Sequence, residues 1–342
     1  MPIDMEEMRR CSVAVDLGAS RTRVYVKDTG IIVDEPSVAA VNIRTGALLA
    51  VGELAERMTG RTPDHIRVVR PVQGGTVVNV DLARRMLRHL IGSKLRRTWI
   101  RRPGMRFAAC VPYDSEPLAQ RALHETLTAV GARRVELADT LVCAAIGSGL
   151  PVEHPEAAMV VVCGAGTTQV AVLSLGSIVA AETVPVGGDA IDYAVIEHLR
   201  SRHELLLPHP AVRPLRMMLH SADPGPAVAE VHGRDVTTGL ARTVTVDTES
   251  VRQAVGGPLT AVLDAIRTVL RRCPPDLVAD LSERGLVLAG GGALLPGLDT
   301  MLSRTTGIPV HTAEAPDTCA VRGLGAMIEG KVESMRLDPL AG

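Results

Sequence analysis

Aromatic side chains are almost missing from this chain of 342 residues, which has one Trp, one Phe and three Tyr. Surfaces that bind nucleic acid by stacking its bases depend on exposed rings. A formal net charge of −1 supplies no basic field to replace them. Nucleic acid is therefore not an expected partner. Lysine is also scarce, with only Lys27, Lys94 and Lys331, so basic character falls to arginine. The six cysteines, Cys11, Cys110, Cys143, Cys163, Cys273 and Cys319, form no C-x-x-C pair and sit mostly in apolar stretches. Such thiols behave as small hydrophobes, which reads as a reduced, cytoplasmic protein without structural metal. No apolar run approaches the roughly 18 residues that span a bilayer. The opening MPIDMEEMRRCSV has acids where an export signal has an apolar core.

What the chain does have is 46% hydrophobic residues, enough for substantial cores in two domains, and one device used twice. Val13 to Val26 reads VAVDLGASRTRVYV and Val160 to Leu173 reads VVVCGAGTTQVAVL: apolar strand, small-residue loop, second strand. Superposing the strands sets Gly18, Ala19 and Ser20 opposite Gly164, Ala165 and Gly166. Small residues let backbone N–H groups approach an anion, and successive N–H groups in a tight turn make a concavity suited to phosphate. A third cluster, Gly290, Gly291 and Gly292, follows the apolar stretch Gly285 to Ala289 and precedes a helix expected from near Leu298. Strand, glycines, helix is a nucleotide-site arrangement. Together the three point to one polyphosphate held from opposite sides.

The remaining pattern is α/β. Apolar runs from Ser12 to Val51 are broken by turn signals at Asp28 to Gly30 and Arg44 to Gly46. A helix is expected over Asp81 to Ile91, a buried strand over Met105 to Val111 and a helix over Ser115 to Val130, with strand and helix alternating onward to Val160. This alternation predicts sheets covered on both faces. After the second hairpin comes a helix from about Asp189 to Arg200, then a polar, proline-punctuated stretch from Leu207 to Val246 that reads as an inserted subdomain. A long helix is expected after Gly256, Gly257 and Pro258, with proline in its first turn. The last helix, Pro316 to Glu329, is expected to return to the first domain, giving two related α/β halves around a cleft.

At these residues the chain resembles the actin-like ATPase superfamily and, within it, the MreB family of bacterial actin homologues. The similarity runs nearly end to end. It is most specific in DEPSVAAVNIRTGALLAVGELAERMTGRTPDHIRVVRPVQGG (Asp34 to Gly75), VAVLSLGSIV (Val170 to Val179) and CPPDLVADLSERGLVLAGGGALLPGLD (Cys273 to Asp299). The resemblance implies an actin-like fold with domain I over residues 1–145, rejoined by the helix at 316–330, and domain II over 146–315 with a subdomain inserted at about 176–249. It implies ATP and Mg2+ as ligands, antiparallel double filaments on the inner face of the cell membrane, and cell-wall elongation partners such as MreC, MreD and RodZ. DLGASRT then corresponds to the first phosphate loop, usually DLGTANT, with Asp16 holding magnesium through water and Gly18, Ala19, Ser20, Arg21 and Thr22 at the phosphates. Gly164, Ala165, Gly166 and Thr167 form the second loop, and Gly188 with Asp189 lies by the phosphates or ribose. Gly290, Gly291, Gly292, Ala293 and Leu294 line the adenine and ribose side.

Departures from the family pattern bear on activity. Val162 stands where the second loop usually begins with Asp, and Thr140 where the Glu that positions the attacking water belongs; Asp139 is its only acidic neighbour there. Losing a positioned acid or base typically costs about 10² to 10⁴ in rate. The family's nucleoside-contacting helix aligns with Val212, Arg213, Pro214 and Leu215, without its Glu and Lys. The expectation is a filament-forming, ATP-binding cell-shape protein that hydrolyses slowly or not at all; the alternatives are a small-molecule kinase of the same superfamily or a non-polymerising regulatory pseudo-ATPase. Finally, Lys94 to Phe107 reads KLRRTWIRRPGMRF, with six basic residues, no acid and the chain's single Trp. Alternation of cations with Leu95, Trp99, Ile100, Met105 and Phe107 suits a membrane-interfacial loop, and the resemblance matches Trp99 and Ile100 to a membrane-inserting pair.

Overall fold

The computed structural model describes residues 4–99, 105–208, 211–217 and 228–332, without the side chains at 93, 95–99, 213 and 217. Two five-stranded sheets share one topology. In the first, β1 (Val13–Leu17), β2 (Arg21–Val26) and β3 (Gly30–Pro36) form an antiparallel meander, and β4 (Arg106–Val111) and β5 (Arg134–Asp139) add in parallel on the other side of β1. In the second, β6 (Ala158–Cys163), β7 (Thr168–Ser174) and β8 (Ser177–Val184) repeat the meander, while β9 (Leu286–Ala289) and β10 (Val310–Thr312) repeat the parallel additions. The two glycine loops are thus equivalent hairpin turns on equivalent strands.

Alternation along the strands decides what covers each face. In the first sheet Val13, Val15, Leu17, Phe107 and Ala109 pack under α1 (Val80–Trp99) and α2 (Pro117–Val130). The opposite face carries smaller residues, Ala14, Ala108, Cys110 and Ala138, and meets α3 (Thr140–Gly147) through Cys143. In the second sheet Met159, Val161, Val170 and Val172 pack under α4 (Gly188–His203), the short α5 (Val212–Met217) and α6 (Thr248–Arg272). Its inner face, Val160, Val162, Ala171 and Leu173, meets Leu141, Ala144 and Ala145 of α3. The α7 helix (Leu298–Thr306) follows the triple-glycine turn, and α8 (Cys319–Glu329) packs through Leu324, Met327 and Ile328 on the inner face of the first sheet. Both inner faces therefore close on the pair α3 and α8.

That pair touches backbone to backbone. A Cβ on Gly147 would overlap the Cys319 carbonyl, and one on Gly323 would overlap the Cys143 carbonyl. Arg322 Nη2 donates to Gly147 O at 3.0 Å across the same crossing. Only glycine allows so close an approach.

The sequence expectations need three corrections. The long helix does not begin at Pro258: Asp247 caps it, its Oδ1 accepting from Ser250 N at 2.6 Å, and Pro258 lies in its interior. Val251 and Val255 extend the buried stripe of Leu259, Val262 and Ile266 one turn back in each step, and their burial outweighs one missing N–H donor. The helix expected to stop at Ile91 runs to Trp99, so Lys94 to Trp99 is helical rather than loop. Met105 and Phe107 are core residues of the first sheet, not apolar tips, and Arg106 is engaged by Glu7 and Glu136. Ile100 lies outside the described residues. Between α4 and α6, Leu205–Leu206, Val228–Asp235 and Ala241–Asp247 make a small antiparallel sheet. Among the described residues no helix is long and apolar enough to cross a membrane.

The crossing makes a sharp stability prediction. Gly147→Ala or Gly323→Ala is expected to cost about 3 kcal/mol in denaturant unfolding, because a methyl group must force two backbones apart. Gly92→Ala, on an α1 position with open space around it, is expected to gain up to about 1 kcal/mol.

Candidate functional site

The two glycine hairpins are closed by the same hydrogen bond. Gly18 N donates to Arg21 O at 3.1 Å, and Gly164 N donates to Thr167 O at 2.8 Å. In the first loop every carbonyl is taken by a protein donor. Ser37 Oγ donates to Gly18 O at 2.6 Å, Arg70 Nη1 to Ala19 O at 3.3 Å and Ser37 N to Ser20 O at 2.9 Å. The N–H groups of Ala19 and Ser20 have no partner among the described residues, which leaves donors for an anion. Arg21 and Thr22 face elsewhere. Arg21 Nε donates to Asp34 Oδ1 at 2.5 Å, and Thr22 is buried with its hydroxyl 2.8 Å from Ser37 Oγ.

The second loop is docked on the start of α4. Gly188 N donates to Gly164 O at 3.0 Å and Asp189 N to Ala165 O at 2.8 Å; Gly187 has no room for a Cβ beside the Ala165 carbonyl. Thr168, just past Thr167, donates its hydroxyl to Val186 O at 2.7 Å. The Asp189 side chain is exposed. The triple-glycine turn lies against the base of this loop. A Cβ on Gly290 would overlap Cys163 O, and one on Gly292 would stand 2.7 Å from Cys163 Cβ. Gly290 N donates to Pro316 O at 2.7 Å. Ala293 is buried in the core, whereas Gly291 and Leu294 are exposed.

One segment joins the two loops. Arg70 holds Ala19, and four residues on, Gly74 backs onto Gly166, where a Cβ would stand 3.1 Å from Gly74 N. Next to it Tyr113 N, after β4, donates to Gln169 Oε1 on β7 at 2.8 Å. Asp16, Val111, Asp139, Cys163 and Ala289 all sit at the carboxyl ends of the parallel strands β1, β4, β5, β6 and β9. Open α/β sheets bind ligands in the crevice beyond those ends.

The expected catalytic positions are held in other work. Thr140 Oγ1 donates to Val111 O at 2.9 Å. Asp139 precedes α3 as its cap, Oδ1 accepting from Leu141 N at 2.8 Å. Burial pushes the Asp139 carboxyl up to about 6, with the Leu141 N–H opposing and Asp114 adding. Val162 is 8% exposed in the apolar layer against α3. Asp16 is the one carboxylate left at a loop entrance, and burial holds it above the ordinary range, with Arg23 opposing and Asp34 adding. Hydrated magnesium is held by one or two carboxylates together with a nucleotide's own phosphates. Asp16, in register with Arg23 across β1 and β2, is the carboxylate that would serve it here, while Val162 offers no oxygen.

Two residues escaped the sequence reading. Arg216 on α5 pairs with Asp192 Oδ1 through Nε at 3.0 Å, and its Nη1 stands 3.8 Å from the space beside Gly188. Its signal was the spacing of Val212, Leu215 and Arg216, which buries the first two and turns the third toward α4. Arg23 lies in the middle of β2, in register with Asp16 and Asp34, and is buried between Asp34 and Asp317.

A family model described as MreB/Mbl protein matches residues 10–336. The chain is 40% identical over 323 residues to the cell shape-determining protein MreB of Escherichia coli strain K12, covering 93% of each. It superposes on MreB5 of Spiroplasma citri bound to ADP with a TM-score of 0.86 and 26% identity, covering 91% of this chain and 94% of that one. On the same protein bound to AMPPNP the TM-score is 0.86 at 25% identity, with 91% and 93% covered.

Asp139 gives a pH test. A carboxyl whose folded value, about 6, exceeds its unfolded value, 3.8, takes up a proton on folding. The stability it contributes is fully present below the unfolded value and is lost as pH rises through the folded one. Asp139→Asn keeps the cap. Between pH 4 and 6.5 the wild type is expected to lose on the order of 3 kcal/mol relative to that variant in denaturant unfolding; parallel curves contradict the assignment.

Proposed function

The chain belongs to the MreB/Mbl family, and on that premise we propose that it is a cell-shape cytoskeletal protein that binds an adenine nucleotide in the cleft and assembles into filaments. The observation that carries the nucleotide reading is a pair of anion-suited hairpin turns, at Gly18 and Gly164, the second braced by the start of α4 and by the glycine turn at Gly290 docked on Cys163. The ADP and AMPPNP held by the Spiroplasma relative support it. Ala19, Ser20, Ala165 and Gly166 offer N–H groups to the phosphates, and Gly291, Gly292 and Leu294 flank the nucleoside. Arg216, paired with Asp192, is the cation nearest Gly188 on that side.

Hydrolysis is slow or absent. Water attack on the terminal phosphate needs a positioned acid or base, and Thr140 has committed its hydroxyl to Val111 O while Asp139 caps a helix. A kinase of the same superfamily needs such a group to activate a substrate hydroxyl, so the same observation counts against that alternative. In this reading the nucleotide serves as a conformational ligand, not as fuel. The protein works in the cytoplasm on the inner face of the cell membrane, through the segment bearing Trp99 and Ile100, together with transmembrane shape proteins of the MreC, MreD and RodZ kind.

Purified protein given ATP is expected to scatter light as it assembles while releasing phosphate at least about 10²-fold more slowly than a relative that keeps both carboxylates. Turnover at the relative's rate, abolished by changing Asp16, contradicts the reading. For the membrane segment, Trp99→Ser with Ile100→Ser is expected to weaken co-sedimentation with anionic liposomes by at least about tenfold. Undiminished binding rules the segment out.

A further inference from the structure

Three arginines stand at the first glycine loop, and two of them already have carboxylates. Arg21 pairs with Asp34, and Arg23 pairs with both Asp34 and Asp317. Arg70 differs. Its Nη1 donates to Ala19 O at 3.3 Å, a neutral acceptor, and among the described residues no carboxylate pairs with it. A guanidinium has five N–H donors and stays charged in a folded protein. Arg70 is half-buried, so its charge is partly withdrawn from water, and a cation so placed favours an anionic partner.

The local fold explains how that charge is held in place. Pro71 O accepts from Val78 N at 2.9 Å, closing a small hairpin of Val72–Gln73 and Thr76–Val77 directly after Arg70. Val72 and Val77 are buried in the core of the first half and root the hairpin there. Its two turn residues, Gly74 and Gly75, have φ of 54° and 77°, which a two-residue hairpin turn asks for and glycine adopts without strain. Gly75 lies against Pro112 with no room for a Cβ, and Gly74 backs onto Gly166 of the second loop. Arg70 is thus carried on an element rooted in the first half and touching the second, beside the Ala19 and Ser20 N–H groups.

We propose that Arg70 binds a phosphate group of the adenine nucleotide, adding a side-chain cation to the backbone donors of the first loop. This rests on the nucleotide reading given above. The Ala19 carbonyl tethers one arm of the guanidinium, and its Nε and Nη2 are the donors left for phosphate oxygens. Arginine suits this contact because its planar fork can give two parallel hydrogen bonds to one phosphate. Arg21 and Arg23 cannot take its place, since their carboxylates hold them elsewhere.

The test is the affinity of the full chain for a fluorescent ADP, read by anisotropy on the wild type, Arg70→Gln and Arg70→Lys. Glutamine can still offer an N–H to Ala19 O but removes the charge, and it is expected to weaken binding at least about tenfold. Lysine restores the charge and is expected to bind at least about threefold more tightly than glutamine. A folded Arg70→Gln that binds as the wild type does, or a lysine variant no better than the glutamine one, shows that the charge is not responsible. Either result overturns the inference and leaves the nucleotide reading standing. No saturable binding by the wild type overturns that reading and the inference with it. Should Arg70→Gln fail to fold, labelling of wild-type arginines with phenylglyoxal decides, read by peptide mass spectrometry. Saturating ADP is expected to slow labelling of Arg70 at least about fivefold relative to the exposed Arg61; equal labelling with and without ADP overturns the inference.

Discussion

The backbone contact between α3 and α8 at Gly147 and Gly323 is the constraint on which the rest of this molecule depends. Two helices that meet without side chains between them form a thin wedge, and both sheets pack their small-residue faces on it. Because α3 starts where β5 ends and α8 starts after the segment that holds Gly290, fixing the crossing fixes the carboxyl ends of both sheets relative to each other. The glycine loops sit at the tips of equivalent strands, and one segment touches both, Arg70 at Ala19 and Gly74 at Gly166. Close backbone packing of this kind transmits small shifts, which suits the conformational role proposed for the nucleotide.

The chemistry of the cleft follows from what the same elements carry. Backbone N–H groups at two hairpin turns survive any side-chain change that keeps the turns small, so anion binding is robust to substitution. Catalysis is not. It depends on single carboxylates, and the positions that would hold them are occupied by Thr140, whose hydroxyl is donated away, and Val162, which belongs to the apolar layer against α3. Near the first loop Arg21 and Arg23 pair with Asp34, and Arg23 also with Asp317. The binding without turnover proposed above is what a backbone cradle gives when its side-chain acids are absent.

Much of this was legible in the sequence, for reasons that are local. A hairpin with a small-residue turn is encoded within about fifteen residues by alternation and glycine, and both copies lie where the pattern set them, as does the Gly290 turn. Features that depend on distant neighbours were not legible. Pro258 marks a helix start only if the preceding turn has nothing to bury, and Val251 and Val255 do. Met105 and Phe107 fit both a buried strand and the end of a basic segment, and only the sheet that covers them decides for the strand. Arg23 and Asp317 are almost three hundred residues apart, and no spacing rule joins them. Arg216 carries a spacing signal in Val212 and Leu215, but its partner Asp192 lies on a different helix that the spacing does not identify.

Calorimetric titration with a non-hydrolysable ATP analogue, on the wild type and on Gly187→Ala, bears most directly on a nucleotide cleft built from backbone. The substitution places a methyl group against the Ala165 carbonyl, where the second loop docks on α4, and leaves every charged group in place. Saturable one-to-one binding by the wild type, lost in a folded Gly187→Ala, is the expected result. No heat from the wild type, or equal binding by both, would contradict it.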